Sequence, residues 1–154
     1  MALDQNVRLV LDKINNAKKR SPYNQNVELI AATKTRDILQ IQTCYELGIS
    51  SIGENRIQEA EKKLKELPSF SSIKKRFIGH LQTNKVNKCL RLFDTIDSVD
   101  TLKLAEKINS SPQPQKTECL IEINTSGESQ KKGFKPKLSK ELISCFSLEN
   151  LGIV

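Results

Sequence analysis

No stretch of this 154-residue sequence approaches the roughly 18 consecutive apolar residues of a membrane-spanning helix, so nothing in it reads as a bilayer crossing. The start, Met-Ala-Leu-Asp-Gln-Asn-Val-Arg, carries an early acid and no apolar core, unlike a secretory signal. There is one His, and Cys44, Cys89, Cys119 and Cys145 lie far apart, with no CxxC pair and no His at ligand spacing. That excludes the usual zinc patterns and dithiol redox motifs. Four free thiols in a reducing cytoplasm are the expectation, and the sequons at Asn109 and Asn124 then have no use. The sequence has no GxGxxG, HExxH or GxSxG. Gly127 to Gly133 is one residue too long for a P-loop and no Lys-Ser/Thr pair follows it. The length is also too short for a complete eight-stranded (β/α) barrel, which takes about 250 residues and at least about 200.

What is present is an ordinary globular composition, 37% hydrophobic and 28% charged, enough for one domain with a core. The net charge is +7, and part of the excess is local. From Ser71 to Phe93 there are Lys74, Lys75, Arg76, Lys85, Lys88 and Arg91 and no acid. Such a strip reads either as a phosphate- or nucleic-acid-facing surface or as a solvated helix and loop. No aromatics are interleaved in it as a stacking platform would require.

Leu3, Val7, Val10, Leu11, Ile14 and Ala17 recur at helical spacing up to Lys18-Lys19-Arg20. A short buried strand is expected over 27–32. A helix through Ile38, Ile41, Tyr45 and Leu47 follows, stopped by Gly48. Further strands are expected at 49–53, 76–79, 93–97 and 118–123, with a sixth from Leu151. Between them lie helices marked by Ile57, Ala60, Leu64 and Leu67 (ended by Pro68), by Val86, Leu90 and Phe93, by Leu102, Ala105 and Ile108, and by Leu138, Leu142, Ile143 and Phe146. Asn55 and Asp100 are the expected caps of two of these helices. Strands and helices alternating every 20–30 residues or so mean βαβ units and a parallel sheet, either doubly wound or a (β/α) barrel. No internal repeat suggests a solenoid.

In both architectures ligands gather at the carboxyl ends of strands. Those ends read Thr33-Lys34-Thr35, Gly53-Glu54-Asn55, Gly79-His80-Leu81-Gln82, Asp97-Ser98 and Asn124-Thr125-Ser126-Gly127-Glu128. Lys34 follows small and apolar residues, where its ammonium would be partly desolvated. Desolvation favours the neutral amine that attacks an aldehyde to form a Schiff base. Equally, Lys34 could reach solvent or pair with a rim carboxylate such as Glu54. His80, the lone imidazole, reads as a structural hydrogen-bonder or as a rim ligand or base.

Five stretches occur in a recognisable order: Leu29-Ile-Ala-Ala-Thr-Lys-Thr35, Ile52-Gly-Glu-Asn-Arg-Ile-Gln-Glu59, Phe77-Ile-Gly-His-Leu-Gln-Thr-Asn-Lys85, Ile96-Asp-Ser-Val-Asp100 with Leu102-Lys-Leu-Ala105, and Ile123-Asn-Thr-Ser-Gly-Glu128. Through them, and Gly133 beyond, the chain resembles the pyridoxal phosphate homeostasis proteins, small single-domain relatives of the alanine racemase N-terminal barrel. The resemblance implies an α/β fold, a (β/α)8 TIM-type barrel truncated after about six strands. It implies pyridoxal 5′-phosphate as cofactor, held as a Schiff base on Lys34, with Asn55 near its ring and His80 and Asn124 on the rim. It further implies a cytoplasmic carrier or homeostasis factor rather than a racemase, with pyridoxal-phosphate-dependent enzymes as recipients, no specific nucleic acid and no membrane partner.

The sequence departs from the family at Thr33 and Arg36-Asp37, where Ser and Lys-Pro are common, and in having no Trp before Phe77. The family also continues past Leu-Gly-Ile-Val into Ser- and Arg/Gly-containing loops that hold phosphate. Residues 1–154 are therefore expected to be a single, C-terminally incomplete cofactor-binding barrel domain. Two other readings are a non-binding or partner-dependent fragment of such a protein, and a basic nucleic-acid-binding module on the 74–91 strip.

Overall fold

The computed structural model describes residues 2–23, 25–66, 72–137 and 139–154. In chain order the elements are α1 (Leu3–Arg20), β1 (Ile30–Ala32), α2 (Ile38–Glu46), β2 (Ser51–Glu54), α3 (Ile57–Lys65) and β3 (Lys74–Phe77). A 3-10 turn over Thr83–Lys85 then leads into α4 (Val86–Leu92), β4 (Thr95–Val99), α5 (Leu102–Asn109), β5 (Thr117–Ile121), α6 (Lys140–Cys145) and β6 (Leu151–Ile153).

Every strand pairs in parallel with the next one in sequence, giving the order β1-β2-β3-β4-β5-β6. A doubly wound sheet would reverse direction at a switch point, so this unbroken order decides for the barrel type. The architecture is five βα units and a sixth strand of such a barrel, with β1 and β6 at the two ends of the order.

The two faces of the sheet differ in chemistry. On one, Phe77, Ile96 and Cys119 meet Ile57, Ala60, Val86, Cys89, Leu104, Ala105 and Ile108 from the helices, all at 3% exposure or less. The Phe77 and Phe93 rings pack edge to face at 5.2 Å. Burying a side chain such as Phe77 contributes about 1.5–3 kcal/mol, so this helix-facing layer is the main source of stability. The opposite face is polar. Arg76 Nε donates to Asp97 at 2.7 Å and its Nη1 to Glu28 at 3.4 Å, Lys74 pairs with Glu118 at 2.9 Å, and Ser51 donates to Glu28. The alternation along each strand places these charges on one side and the apolar layer on the other.

The elements appear where the sequence puts them, with local differences. β1 is shorter than 27–32, because 27–29 approach in extended form without joining the ladder. β3 begins two residues earlier than expected, and β4 two residues later. Gly48 has φ +91° just past α2, as the stop signal requires. Two caps differ. Arg56, not Asn55, precedes α3, and it makes no side-chain cap; Thr101, not Asp100, caps α5 through the Leu104 amide. Asp100 is instead drawn to His80. Of the expected apolar face of α6, Leu142 is half-buried against the core while Ile143 and Phe146 are exposed; Cys145, which the pattern did not mark, is buried instead. Leu67, Pro68 and Leu138 lie outside the described residues.

Candidate functional site

The carboxyl ends of β1, β2 and β3 are consecutive along one rim. Register pairs Ala32 with Gly53 at the end of β1, and Lys34 and Asn55 each lie two residues beyond that last pair. Asn55 in turn sits against Gly79 so closely that a Cβ on Gly79 would lie 2.4 Å from the Asn55 carbonyl oxygen. Only glycine permits this approach between the chain after β2 and the chain after β3.

Lys34 is exposed, and among the described residues its ammonium has no hydrogen-bond or ion-pair partner. Of the alternatives read from sequence, Lys34 follows the one in which the side chain reaches solvent at the strand end. The amine is not desolvated, and it does not pair with Glu54. Glu54 lies on the helix-facing side, 1% exposed, where Lys63 takes it at 2.8 Å. The backbone around Lys34, by contrast, is held firmly. Thr33 N–H donates to Gly53 O at 2.9 Å and its hydroxyl to Glu54 Oε1 at 2.7 Å. Lys63 Nζ donates to Thr33 O at 2.7 Å, and Thr35 N–H donates to Glu59 Oε1 at 2.6 Å. Thr35 has φ +61°, a left-handed conformation that costs a β-branched residue about 1–3 kcal/mol.

Within the cluster of Glu54, Lys63 and Glu59, Lys63 and Glu59 have shifted titrations. Burial pulls the Lys63 pKa down, but its bonds to Glu54 and Glu59 outweigh that and hold it above the ordinary lysine value. The Lys63 ammonium and the Thr35 amide hold the Glu59 carboxyl below its usual range. Sequence reasoning did not single out Lys63 or Glu59; the i,i+4 acid–base spacing between them was the available signal.

His80 and Asn124 share a rim cleft of about 280 Å³, which Thr125, Ser126, Lys131 and Lys132 also line. His80 Nδ1 lies 2.7 Å from the buried Asp100 carboxylate, which fixes the ring and leaves its other nitrogen uncommitted. Asn124 is differently employed. Its amide donates to the carbonyls of Glu128 and Lys131, and its oxygen accepts from Ser126 Oγ and the Gly127 amide. All its hydrogen-bonding capacity goes into folding its own loop. The structure thus brings His80 and Asn124 together in a cleft, and leaves Lys34 and Asn55 each just past the end of two paired strands. A larger groove of about 540 Å³ runs between α1, β1 and α2, lined by apolar residues such as Val7, Val10 and Ile49 and reaching Thr33 and Arg36 on either side of the Lys34 turn.

The basic strip is largely neutralised. Lys74, Lys75, Arg76 and Lys88 pair with Glu118, Asp94, Asp97 and Glu61. That leaves little of a phosphate-tracking surface. Cys44, Cys89, Cys119 and Cys145 are all free and buried. Among the described residues no cluster could hold a metal ion, and no helix is long and apolar enough to cross a membrane.

No family model matches the chain. It is 35% identical over 141 residues to a Haemophilus influenzae protein named pyridoxal phosphate homeostasis protein, covering 89% of this chain and 60% of that one. The Bos taurus protein of the same name is 33% identical over 165 residues, covering 96% and 60%. The chain spans about 60% of the length of the curated relatives it matches. Among solved structures, an unknown protein from Bifidobacterium adolescentis superposes with TM-score 0.84 at 34% identity, over 98% of this chain and 66% of that one. PipY of Synechococcus elongatus, with pyridoxal phosphate (PLP) bound, gives 0.77 at 28%, over 92% and 66%. A Clostridium difficile alanine racemase gives 0.70 at 18% identity over 97% of this chain and 38% of its own, a likeness of fold alone.

Proposed function

This chain being a homologue of the pyridoxal phosphate homeostasis proteins, we propose that it binds pyridoxal 5′-phosphate as its small-molecule cofactor, on Lys34 as a Schiff base. The observation that carries this reading is the state of Lys34. Its side chain is exposed and unpartnered among the described residues, at the end of β1, while the peptide groups on either side of it are hydrogen-bonded. An amine so placed is open to an aldehyde and is not consumed by an ion pair. The bound group would supply an electrophilic aldehyde carbon; the amine nitrogen bonds to it and the carbonyl oxygen leaves as water.

The residues present fit the reactive side of that group. Asn55, just past the end of β2, makes no side-chain hydrogen bond among the described residues, so it is available to the ring. His80, braced by Asp100, supplies a second polar contact on the same rim. Asn124 serves by shaping the loop that walls the cleft.

The role is carriage and homeostasis of the cofactor rather than racemisation, as the names of the relatives suggest. Residues 1–154 act as one domain, in the cytoplasm, with pyridoxal-phosphate-dependent enzymes as recipients. Racemisation calls for proton donors and acceptors on both faces of a substrate carbon, whereas holding an aldehyde needs one lysine.

Borohydride reduction of the cofactor-loaded chain, followed by peptide mass mapping, tests the assignment. The pyridoxyl group is expected on the Lys34 peptide and absent from it in Lys34→Ala. Label spread evenly over surface lysines would overturn it.

A further inference from the structure

The turn that carries Lys34 is held from one side by three charged residues that never touch its amine. Lys63 Nζ is the hub, 2.8 Å from both Glu54 Oε1 and Glu59 Oε1. From this hub three bonds reach the backbone or side chain of the neighbouring residues. Lys63 donates to Thr33 O, Glu54 accepts from the Thr33 hydroxyl, and Glu59 accepts from the Thr35 amide. The peptide groups before and after Lys34 are thus both fixed to α3, while β2 holds the Thr33 hydroxyl.

Helix-to-sheet anchoring alone does not need this arrangement. A buried ion pair is a poor stabiliser compared with apolar packing, and Glu54 leaves its Oε2 buried with no partner. What such a cluster provides is geometry: charge-assisted bonds are short and directional. Here they hold Thr35 in its left-handed conformation, which a β-branched residue does not adopt unaided. With φ at Thr35 set, the chain turns after Lys34, and the backbone from which its side chain springs is fixed.

We propose that Glu54, Lys63 and Glu59 are positioning residues that fix the backbone on both sides of Lys34 so that its amine is presented to an aldehyde in one orientation. This rests on the reading of Lys34 as the cofactor lysine. The clamp acts from the helix-facing side of the sheet, so the cofactor never meets it. None of the three is a catalytic residue; each works through the Thr33–Thr35 peptides.

Glu59 gives the cleanest test, because its side chain is 26% exposed and its loss opens no cavity. In Glu59→Ala, two readouts are compared with the unmodified chain. One, taken without cofactor, is hydrogen exchange of the Thr35 amide. The other is the yield of pyridoxyl on the Lys34 peptide after exposure to pyridoxal 5′-phosphate and borohydride. We expect exchange to quicken and yield to fall by about tenfold each, the lower end of what a hydrogen bond to a charged group is worth. Glu59→Gln keeps an acceptor for the Thr35 amide and is expected to restore both to within about threefold.

Thr35 exchange unchanged in Glu59→Ala would overturn the clamp. Faster exchange with undiminished Lys34 label would show a merely structural network and overturn the positioning, leaving the cofactor reading intact. Absence of Lys34 label in the unmodified chain would overturn the cofactor reading and, with it, any positioning for that chemistry.

Discussion

Replacing Gly79 by alanine puts one methyl group into the junction between β2 and β3. Its Cβ would meet Asn55 O at 2.4 Å, Asn55 Cα at 2.7 Å and Asn55 Cβ at 2.8 Å, where real Cβ contacts essentially never fall under 3.0 Å. Two of those three atoms are backbone, so no rotamer change relieves the contact. The Asn55 carbonyl must retreat by at least about 0.6 Å, the gap between 2.4 and 3.0 Å. The strands resist this, because Ile78 N–H donates to Glu54 O at 2.9 Å one residue away. Overpacking against a part that cannot yield costs about 1–3 kcal/mol, and the rigidity here argues for the upper half, about 2–3. For a domain of this size 1 kcal/mol shifts Tm by about 2–4 °C, so the melt should fall by about 4–12 °C. Circular dichroism melting measures it. The same variant should weaken Lys34 labelling by pyridoxal phosphate, because Asn55 is moved. Gly48→Ala is the control: it is strained by φ +91° but meets nothing within 4 Å, so it should lower Tm yet leave labelling unchanged. A Gly79→Ala chain that melts within about 1 °C of the unmodified one would refute the reasoning.

Other predictions follow from the buried charges and thiols. Arg76→Met strands Asp97, which is 9% exposed, and should cost about 3–5 kcal/mol in urea unfolding; Arg76→Met with Asp97→Leu should recover much of it. Burial, with neighbouring charges adding to it, pushes the Cys89 and Cys119 thiols up to about 12. At pH 8 their thiolate fraction is then about a thousandfold lower than at the ordinary value, so iodoacetamide should modify both only as fast as the chain unfolds. Glu59 has a lowered pKa in the folded chain, so the unfolded state takes up its proton first. Its contribution to stability is therefore complete above the ordinary value of 4.5 and lost as pH falls through the lower folded value. Stability curves from pH 6 down to about 3 should be flatter for Glu59→Gln than for the unmodified chain.

The order of elements was legible because apolar runs and Gly or Asn punctuation recur along the chain, and tertiary packing did not contradict them. Boundaries were less so. The pattern Val27-Glu28-Leu29 alternates like a strand, yet it is the neighbouring ladder that decides which residues pair. Asp100 has the chemistry of a cap, but His80 claims it, and Thr101 takes the duty. Lys34, Asn55 and His80 could be placed on a rim because strand ends converge in any parallel sheet. The clamp on Lys34 could not be read so directly. Lys63 belongs to the run Glu61-Lys62-Lys63, which reads as a solvated helix face until α3 is seen to turn Lys63 towards Glu54. Thr35 gives no sign of its left-handed backbone, since threonine is a poor marker for it.

The sequential strand order also bears on how the chain acquires its shape. Among the described residues each pairing joins consecutive strands, so the loops closed run from 19 residues (Arg76 to Thr95) to 34 (Thr117 to Leu151). Loop-closure entropy is thereby met in small, similar instalments, and contact order stays modest for an all-parallel sheet. Every βα unit that leaves the ribosome finds its partner strand already made, so the sheet can grow in the direction of synthesis, one unit at a time.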